Sequence, residues 1–224
     1  MKRSTAAAGA KTLKTQTPFA PKRGRPTAAQ VEAINRAIGD AAAEHFLSVG
    51  FEAASMEAVA ARAGVSKGTL YARYPTKAAL LHAVIEERVA AWSAESARYD
   101  HLLPAGLEDR LRYHARTIIR ALANDEIRAF QNLVRGSTLS PELARDFYDT
   151  GQGFVVRLVA DEIAAGTRED PAPAKDPRRV AQMLVAMLYG WFTLEESVGA
   201  VSEAEAIAFV DRSVDVLYAG RSAW

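Results

Sequence analysis

Four histidines, His45, His82, His101 and His114, are scattered along a chain of 224 residues that contains no cysteine. They do not fall at metal-ligand spacing, and without thiols there can be no disulfide, zinc-thiolate site or thiol nucleophile. No glycine-rich phosphate loop and no nucleophile elbow supply an alternative reaction centre. The sequence therefore predicts neither an enzyme nor a bound metal or cofactor. Polyanion recognition is the chemistry that its residues do support. The run SMEAVAARAGVSKGTLYARY, Ser55 to Tyr74, brings together Lys67, Thr69, Tyr71 and Arg73, and Thr76 and Lys77 follow at once. Upstream, PKRGRP at residues 21–26 concentrates Lys22, Arg23 and Arg25.

The charge distribution agrees. Net charge is only +1, but residues 1–90 hold 13 Lys or Arg against 7 Asp or Glu, and residues 91–224 hold 15 against 20. A basic front and an acidic rear point to a polyanion at one end, nucleic acid being the commonest. A charged tail is the plainer reading, since seven of the positives precede residue 27. Residues 1–26 carry no acid and no apolar periodicity, so they are expected to form a flexible basic arm. No stretch approaches the roughly 20 apolar residues of a membrane span, and the start has no secretory core. A cytoplasmic protein with no membrane partner is expected.

The elements that must position these groups read as helices throughout. From Thr27, an N-cap candidate, apolar residues recur at Val31, Ile34, Ile38, Ala42, Phe46 and Val49 until Gly50 stops the helix. His45 lies beside this stripe and is expected to be partly exposed. Further helices are expected at 55–63, 66–71, 76–96, 107–124, 125–136, 141–166, 176–199 and 202–219, about nine in all and no strand. Gly151 and Gly153 interrupt the long 141–166 segment, which must bend there or pack closely against a neighbour.

Within Ser55 to Tyr74 the order of residue types is mechanical. Ser55 caps a short helix whose inner face is Met56, Val59, Ala60 and Ala63. Gly64 can take the positive backbone angle a tight turn needs, Val65 plugs the corner, Ser66 caps a second helix and Leu70 points back into the core. Such a unit is a helix-turn-helix. Gly50 to Ile85, GFEAASMEAVAARAGVSKGTLYARYPTKAALLHAVI, resembles the DNA-binding region of the tetracycline-repressor family: a glycine-aromatic opening, the AGVS turn, the glycine-threonine-leucine-tyrosine recognition helix and an aromatic-Pro-x-Lys-x-x-Leu entry to the fourth helix. Ala72 and Arg73 depart from the aromatic and histidine often found there.

That resemblance implies a helix-turn-helix DNA-binding domain at 27–75 and a helical effector-binding and dimerisation domain at 76–224. It places Ser66, Lys67, Gly68, Thr69, Tyr71 and Arg73 on or beside the helix that enters the major groove. Gly68 permits close approach, Thr69 suits a thymine edge or a phosphate, Tyr71 can reach phosphate or pack in the core, and Arg73 can take guanine or backbone. Ser55 and Thr76 cap helices whose free N–H groups suit phosphate, with Lys77 adjacent. Arg23 and Arg25 of the arm can follow the backbone into the minor groove. The implied partner is a double-stranded palindromic operator.

Farther on, PELARDFYDTGQG at 141–153 is similar to the AefR-like branch of these regulators. The last two helices carry wide apolar faces, Val180, Leu184, Met187, Leu188, Trp191 and Val198, then Ile207, Val210, Val214 and Leu217; by the resemblance they form a homodimer interface. A small apolar or amphipathic effector would bind among some of Trp92, Tyr113, Phe130, Phe154, Met183, Met187 and Trp191, any of which could instead be core. Arg120, Asn132, Arg135 and Gln152 are polar groups that could orient it. The function expected is a repressor released by its effector. The rival is a dimeric DNA-binding regulator that answers to a protein partner or to nothing, and a cavity in the body discriminates between them.

Overall fold

Side-chain caps start most of the helices. The computed structural model describes residues 27–98, 103–170 and 173–224; among them all regular structure is helical. Thr27 and Gln30 form a reciprocal capping box at the head of α1 (Ala28–Val49), and Ser202 with Glu205 does the same for α10 (Glu203–Ala219). Ser55 opens α2 (Met56–Arg62) and Ser66 opens α3 (Lys67–Arg73). The Thr76 hydroxyl accepts from Ala79 N–H at 3.0 Å at the start of α4 (Lys77–Ala97). Then come α5 (Leu107–Ala123), α6 (Asp125–Arg135), α7 (Pro141–Thr150), α8 (Gln152–Thr167) and α9 (Pro177–Val198). A short 3-10 turn, Arg221–Ala223, follows α10. The expected basic arm, residues 1–26, and His101 lie outside the described residues.

Among the described residues ten α-helices stand where nine were expected, because the segment 141–166 is two helices. Gly151 leaves the helical region at φ −92°, ψ −98°, and its N–H closes α7 on Phe147 O at 3.0 Å. Side chains would crowd this corner. A Cβ on Gly151 would lie 3.3 Å from Phe147 O, and one on Gly153 only 3.0 Å from Tyr148 O. The break lets α7 pack against α4 while α8 packs along α9 and α5.

Two apolar clusters hold the chain. One joins α5, α8, α9 and α10 through Leu111, Ile163, Leu184, Leu188 and Val210, all fully buried. The Arg112–Asp215 pair at 2.7 Å and the Arg116–Asp211 pair at 2.8 Å tie α5 to α10 beside it. The second cluster is the helix-turn-helix core: Ile38, Phe46, Val59, Leu70, Leu80 and Leu81. It also takes in Phe130 from α6 and Phe147 from α7, so it does not end where the N-terminal helices end. Polar links reinforce the seam. Arg88 on α4 pairs with Asp40 of α1 at 3.0 Å and Glu126 of α6 at 3.3 Å, and Glu52 accepts from Thr138 N–H at 3.0 Å.

Between α2 and α3 the chain turns at Gly64, whose φ of 66° is left-handed backbone. An L side chain there is strained by about 1–2 kcal/mol. Gly64→Ala is expected to lower the unfolding free energy by about that amount without changing the urea m-value. A neutral or stabilising result in equilibrium urea unfolding would contradict the turn geometry.

Candidate nucleic-acid interface and effector cavity

The helix-turn-helix is set by its short-range bonds. Ser66 Oγ accepts from Thr69 N–H at 3.0 Å and lies 2.9 Å from Thr69 Oγ1, so the Thr69 hydroxyl is oriented by the cap of its own helix. Gly68 is exposed and a Cβ there would meet only Ser66 Oγ, at 3.8 Å. Tyr71 is exposed and Leu70 fully buried, so α3 anchors by one face and presents Lys67, Gly68 and Tyr71 on the other. Ser55 is exposed at the head of α2.

Three cations predicted to meet DNA are already engaged. Lys77 Nζ donates to Glu52 O at 2.9 Å and Ala54 O at 3.1 Å and sits 4.7 Å from the centre of the Phe51 ring. It clamps the loop between α1 and α2. Arg73 Nε donates to Asn35 Oδ1 at 2.9 Å, and its Nη1 to Thr69 O at 3.3 Å, which draws the guanidinium back toward α1. Lys67 pairs with Glu57 at 3.3 Å in solvent. Burial pushes the Tyr74 phenol above the ordinary tyrosine range, with the Glu87 charge adding to the effect and Arg73 opposing it. His45 is buried rather than partly exposed; its Nε2 accepts from Ser55 N–H at 3.4 Å and so ties α1 to the head of α2. No group of three or more potential metal ligands occurs among the described residues.

Behind this module the body holds a cavity of about 450 Å³, partly open to the surface. Its walls come from six helices: Ile85, Val89 and Trp92 of α4, Tyr113 and Ala121 of α5, Phe130 of α6, Phe147 of α7, Phe154 of α8 and Tyr189 of α9. Polar atoms are few: Ser93, Tyr113, His114, Thr117, Tyr148 and Gln152 contribute some, and on α6 and α9 Gln131, Arg135 and Tyr189 neighbour one another. Burial raises the Tyr189 phenol above its usual range, against the opposing effects of the Gln131 hydrogen bond and the Arg135 charge.

Two family models cover most of the chain. Residues 38–84 match the bacterial regulatory proteins of the tetR family, and residues 109–220 match the C-terminal domain of AefR-like transcriptional repressors. The chain belongs to the TetR family. A TetR-family transcriptional regulator from Mesorhizobium loti superposes with a TM-score of 0.72 at 26% identity, over 87% of this chain and 98% of that one. The flavonoid-responsive regulator FrrA gives 0.72 and 26% over 84% and 97%. The Bacillus subtilis regulator FadR, solved with stearoyl-CoA, gives 0.62 over 83% and 98%, and at 19% identity its likeness is one of fold. No curated protein sequence matches the chain. As a TetR-family member the protein is a DNA-binding transcriptional regulator, and regulators of this family work as dimers.

Of the residues expected at a TetR effector site, Trp92, Tyr113, Phe130 and Phe154 line the cavity, as do Arg135 and Gln152. Met183, Met187 and Trp191 do not. Met183 is exposed on α9, Met187 packs against the body core, and Trp191 stacks on Phe209 of α10 at 4.3 Å between ring centres. Met183 thus faces solvent and Trp191 faces α10. Arg120 and Asn132 are exposed and outside the wall. Sequence reasoning missed Tyr189, Gln131 and Phe147; Gln131 and Arg135 stand one turn apart on α6, a spacing that marks a shared face. No helix among the described residues is long and apolar enough to cross a membrane.

The Lys77 clamp separates two kinds of cation. Lys77→Met is expected to destabilise the protein by about 1–3 kcal/mol, because charged hydrogen bonds to two carbonyls are removed. Lys67→Met, which removes an exposed pair, should change stability by less than about 1 kcal/mol. Urea unfolding of both variants checks this; equal effects would contradict the clamp.

Proposed function

We propose that the protein is a dimeric repressor that binds a palindromic operator and is released when a small apolar or amphipathic molecule fills the cavity. The observation that carries this reading is a mostly apolar cavity, partly open to the surface, whose wall residues Phe130 and Phe147 also belong to the helix-turn-helix core. A cavity in the body favours effector control over a regulator without one. FrrA, at 26% identity, is described as flavonoid-responsive, which supports the same reading. Such a regulator acts in the cytoplasm, on the chromosome.

Dimerisation is assigned to α9 and α10. Their outer faces leave Met183, Leu194, Val198 and Val216 exposed, with Leu194 at 69% and Val198 at 89%. Other residues of the expected interface faces, Val180, Leu184, Leu188, Val210, Val214 and Leu217, are buried within the protomer. Val210→Glu therefore tests folding, and Val198→Glu with Val216→Glu tests the interface. Two copies of this paired face make a four-helix interface around a two-fold axis.

On DNA, Thr69, Gly68 and Tyr71 face the groove, with Ser55, Ser66, Lys67, Thr76, Lys77 and Arg73 arrayed around them. Residues 27–90 hold six Lys or Arg against seven Asp or Glu, so the folded module has no positive excess of its own. Most of the phosphate attraction is therefore assigned to the seven basic residues of the arm, Arg23 and Arg25 among them.

Selection of bound duplexes from a random library tests the whole reading. The expected result is a palindrome with half-sites about one turn, ~34 Å, apart or slightly more. Removing residues 1–26 should weaken binding to operator and random DNA alike and flatten the dependence of log affinity on log salt by roughly one for each phosphate that the arm no longer neutralises. Thr69→Ala should instead cost about 1–3 kcal/mol at one operator position. The double variant Val198→Glu/Val216→Glu should sediment as a monomer. An unselected library, or an arm deletion that relaxes sequence preference without touching the salt slope, would overturn these assignments.

A further inference from the structure

The chemistry of the cavity wall narrows what can fill it, given the effector reading on which this step rests. Aromatic rings enter from several directions: Trp92 on α4, Tyr113 on α5, Phe130 on α6 and Phe154 on α8. Rings that meet from different helices favour a flat aromatic guest, stacked on some and edge-on to others. No Asp or Glu lines the cavity, and its one permanently charged side chain is Arg135. Behind the wall residue His114, Glu162 is taken by Arg110 Nε at 2.9 Å. Carboxylates do occur in an adjoining open cleft, which shares Val89, Ser93 and Phe154 with the cavity and holds Glu86, Asp146 and Asp149, but none of the three is on the cavity wall. A cationic guest pressed against this wall finds no counter-charge on it, and stripping its water there is costly.

One group of polar side chains on the wall spans two helices. Gln131 and Arg135 stand on the same face of α6, and Tyr189 reaches them from α9. Burial keeps the Tyr189 phenol protonated, so the group offers hydrogen-bond donors: the phenol, the amide and the guanidinium. We propose that the effector is a flat aromatic molecule carrying an oxygen acid, a phenol or carboxyl group, which docks at Gln131, Arg135 and Tyr189, and that the site rejects cations. Tyr189 and Gln131 hold the oxygen whatever its charge. Arg135, exposed at the edge of the wall, adds affinity only for the ionised form.

Three probes on one ring system test this against the full-length dimer by calorimetry: biphenyl-4-carboxylate, 4-phenylphenol and 4-phenylbenzylammonium. Carboxylate and phenol should bind at least about tenfold more tightly than the ammonium. Arg135→Gln should weaken the carboxylate about five- to tenfold and leave the phenol within about twofold, and Arg135→Lys should restore most of the affinity. Tyr189→Phe should weaken both, and Ala121→Phe, which fills the cavity, should abolish all binding. Circular dichroism spectra matching the parent protein establish that the variants are folded. If the ammonium binds as tightly as the carboxylate and Ala121→Phe still abolishes it, the effector reading stands and the ligand class is overturned. An Arg135→Gln variant that binds carboxylate normally overturns the docking site. If none of the three probes binds, both the ligand class and the effector reading fall.

Discussion

Phe130 and Phe147 belong to two structures at once. Each is buried in the cluster that holds the helix-turn-helix together, and each forms part of the wall of the cavity in the body. A packed interior does not deform smoothly; it moves between discrete arrangements when a volume is added or removed. A guest that shifts these two rings must therefore disturb α1 and α4, which share their packing. The polar seam runs parallel to the apolar one. Arg88 binds α1 and α6 to α4 through Asp40 and Glu126, and Glu52 binds the loop after α1 to the loop before α7. In the proposed effector control this shared packing carries the free-energy link between cavity and DNA, and linkage makes that link reciprocal.

Electrostatics and shape divide the work at the DNA end. The folded module spends its cations on itself: Lys77 on two loop carbonyls, Arg73 on Asn35, Arg62 on Glu44 and Arg36 on Glu32. The Arg73–Asn35 bond ties α3 to α1, and the Arg62–Glu44 pair ties α2 to α1. Such bonds leave little unopposed charge for attraction. In the proposed scheme the arm supplies attraction and the module supplies fit, a division between sequence-independent and sequence-dependent contacts common to DNA-binding proteins.

The helix-turn-helix was legible because its constraints are local. Gly64 must turn, Ser55 and Ser66 must cap and Leu70 must point inward within twenty consecutive residues, and the structure has each of these. Charge roles were less legible, since whether Lys77 meets phosphate or a loop carbonyl depends on how Glu52 and Ala54 come round to it. In the body, helical periodicity located the elements but not the direction each aromatic faces. Trp92 and Phe154 turn into the cavity, whereas Trp191 turns to Phe209, and nothing in their spacing separates the two outcomes. The break at Gly151 was flagged by composition, but a bend and a close approach share the same residues. Only the positions of Phe147 O and Tyr148 O settle it as a corner.

Coupling between the cavity and the recognition helix is the central claim, and the absence of cysteine makes it directly measurable. Ala72 is exposed on α3, so Ala72→Cys gives one spin-label site per protomer. Double electron–electron resonance on the dimer bound to its selected operator should give one narrow distance of the order of 34 Å, one turn of DNA. Saturating the free dimer with biphenyl-4-carboxylate should move the distribution by roughly 2 Å or more from that value, the scale of a genuine rearrangement. A distance that stays at the operator-bound value with the cavity filled would contradict the account.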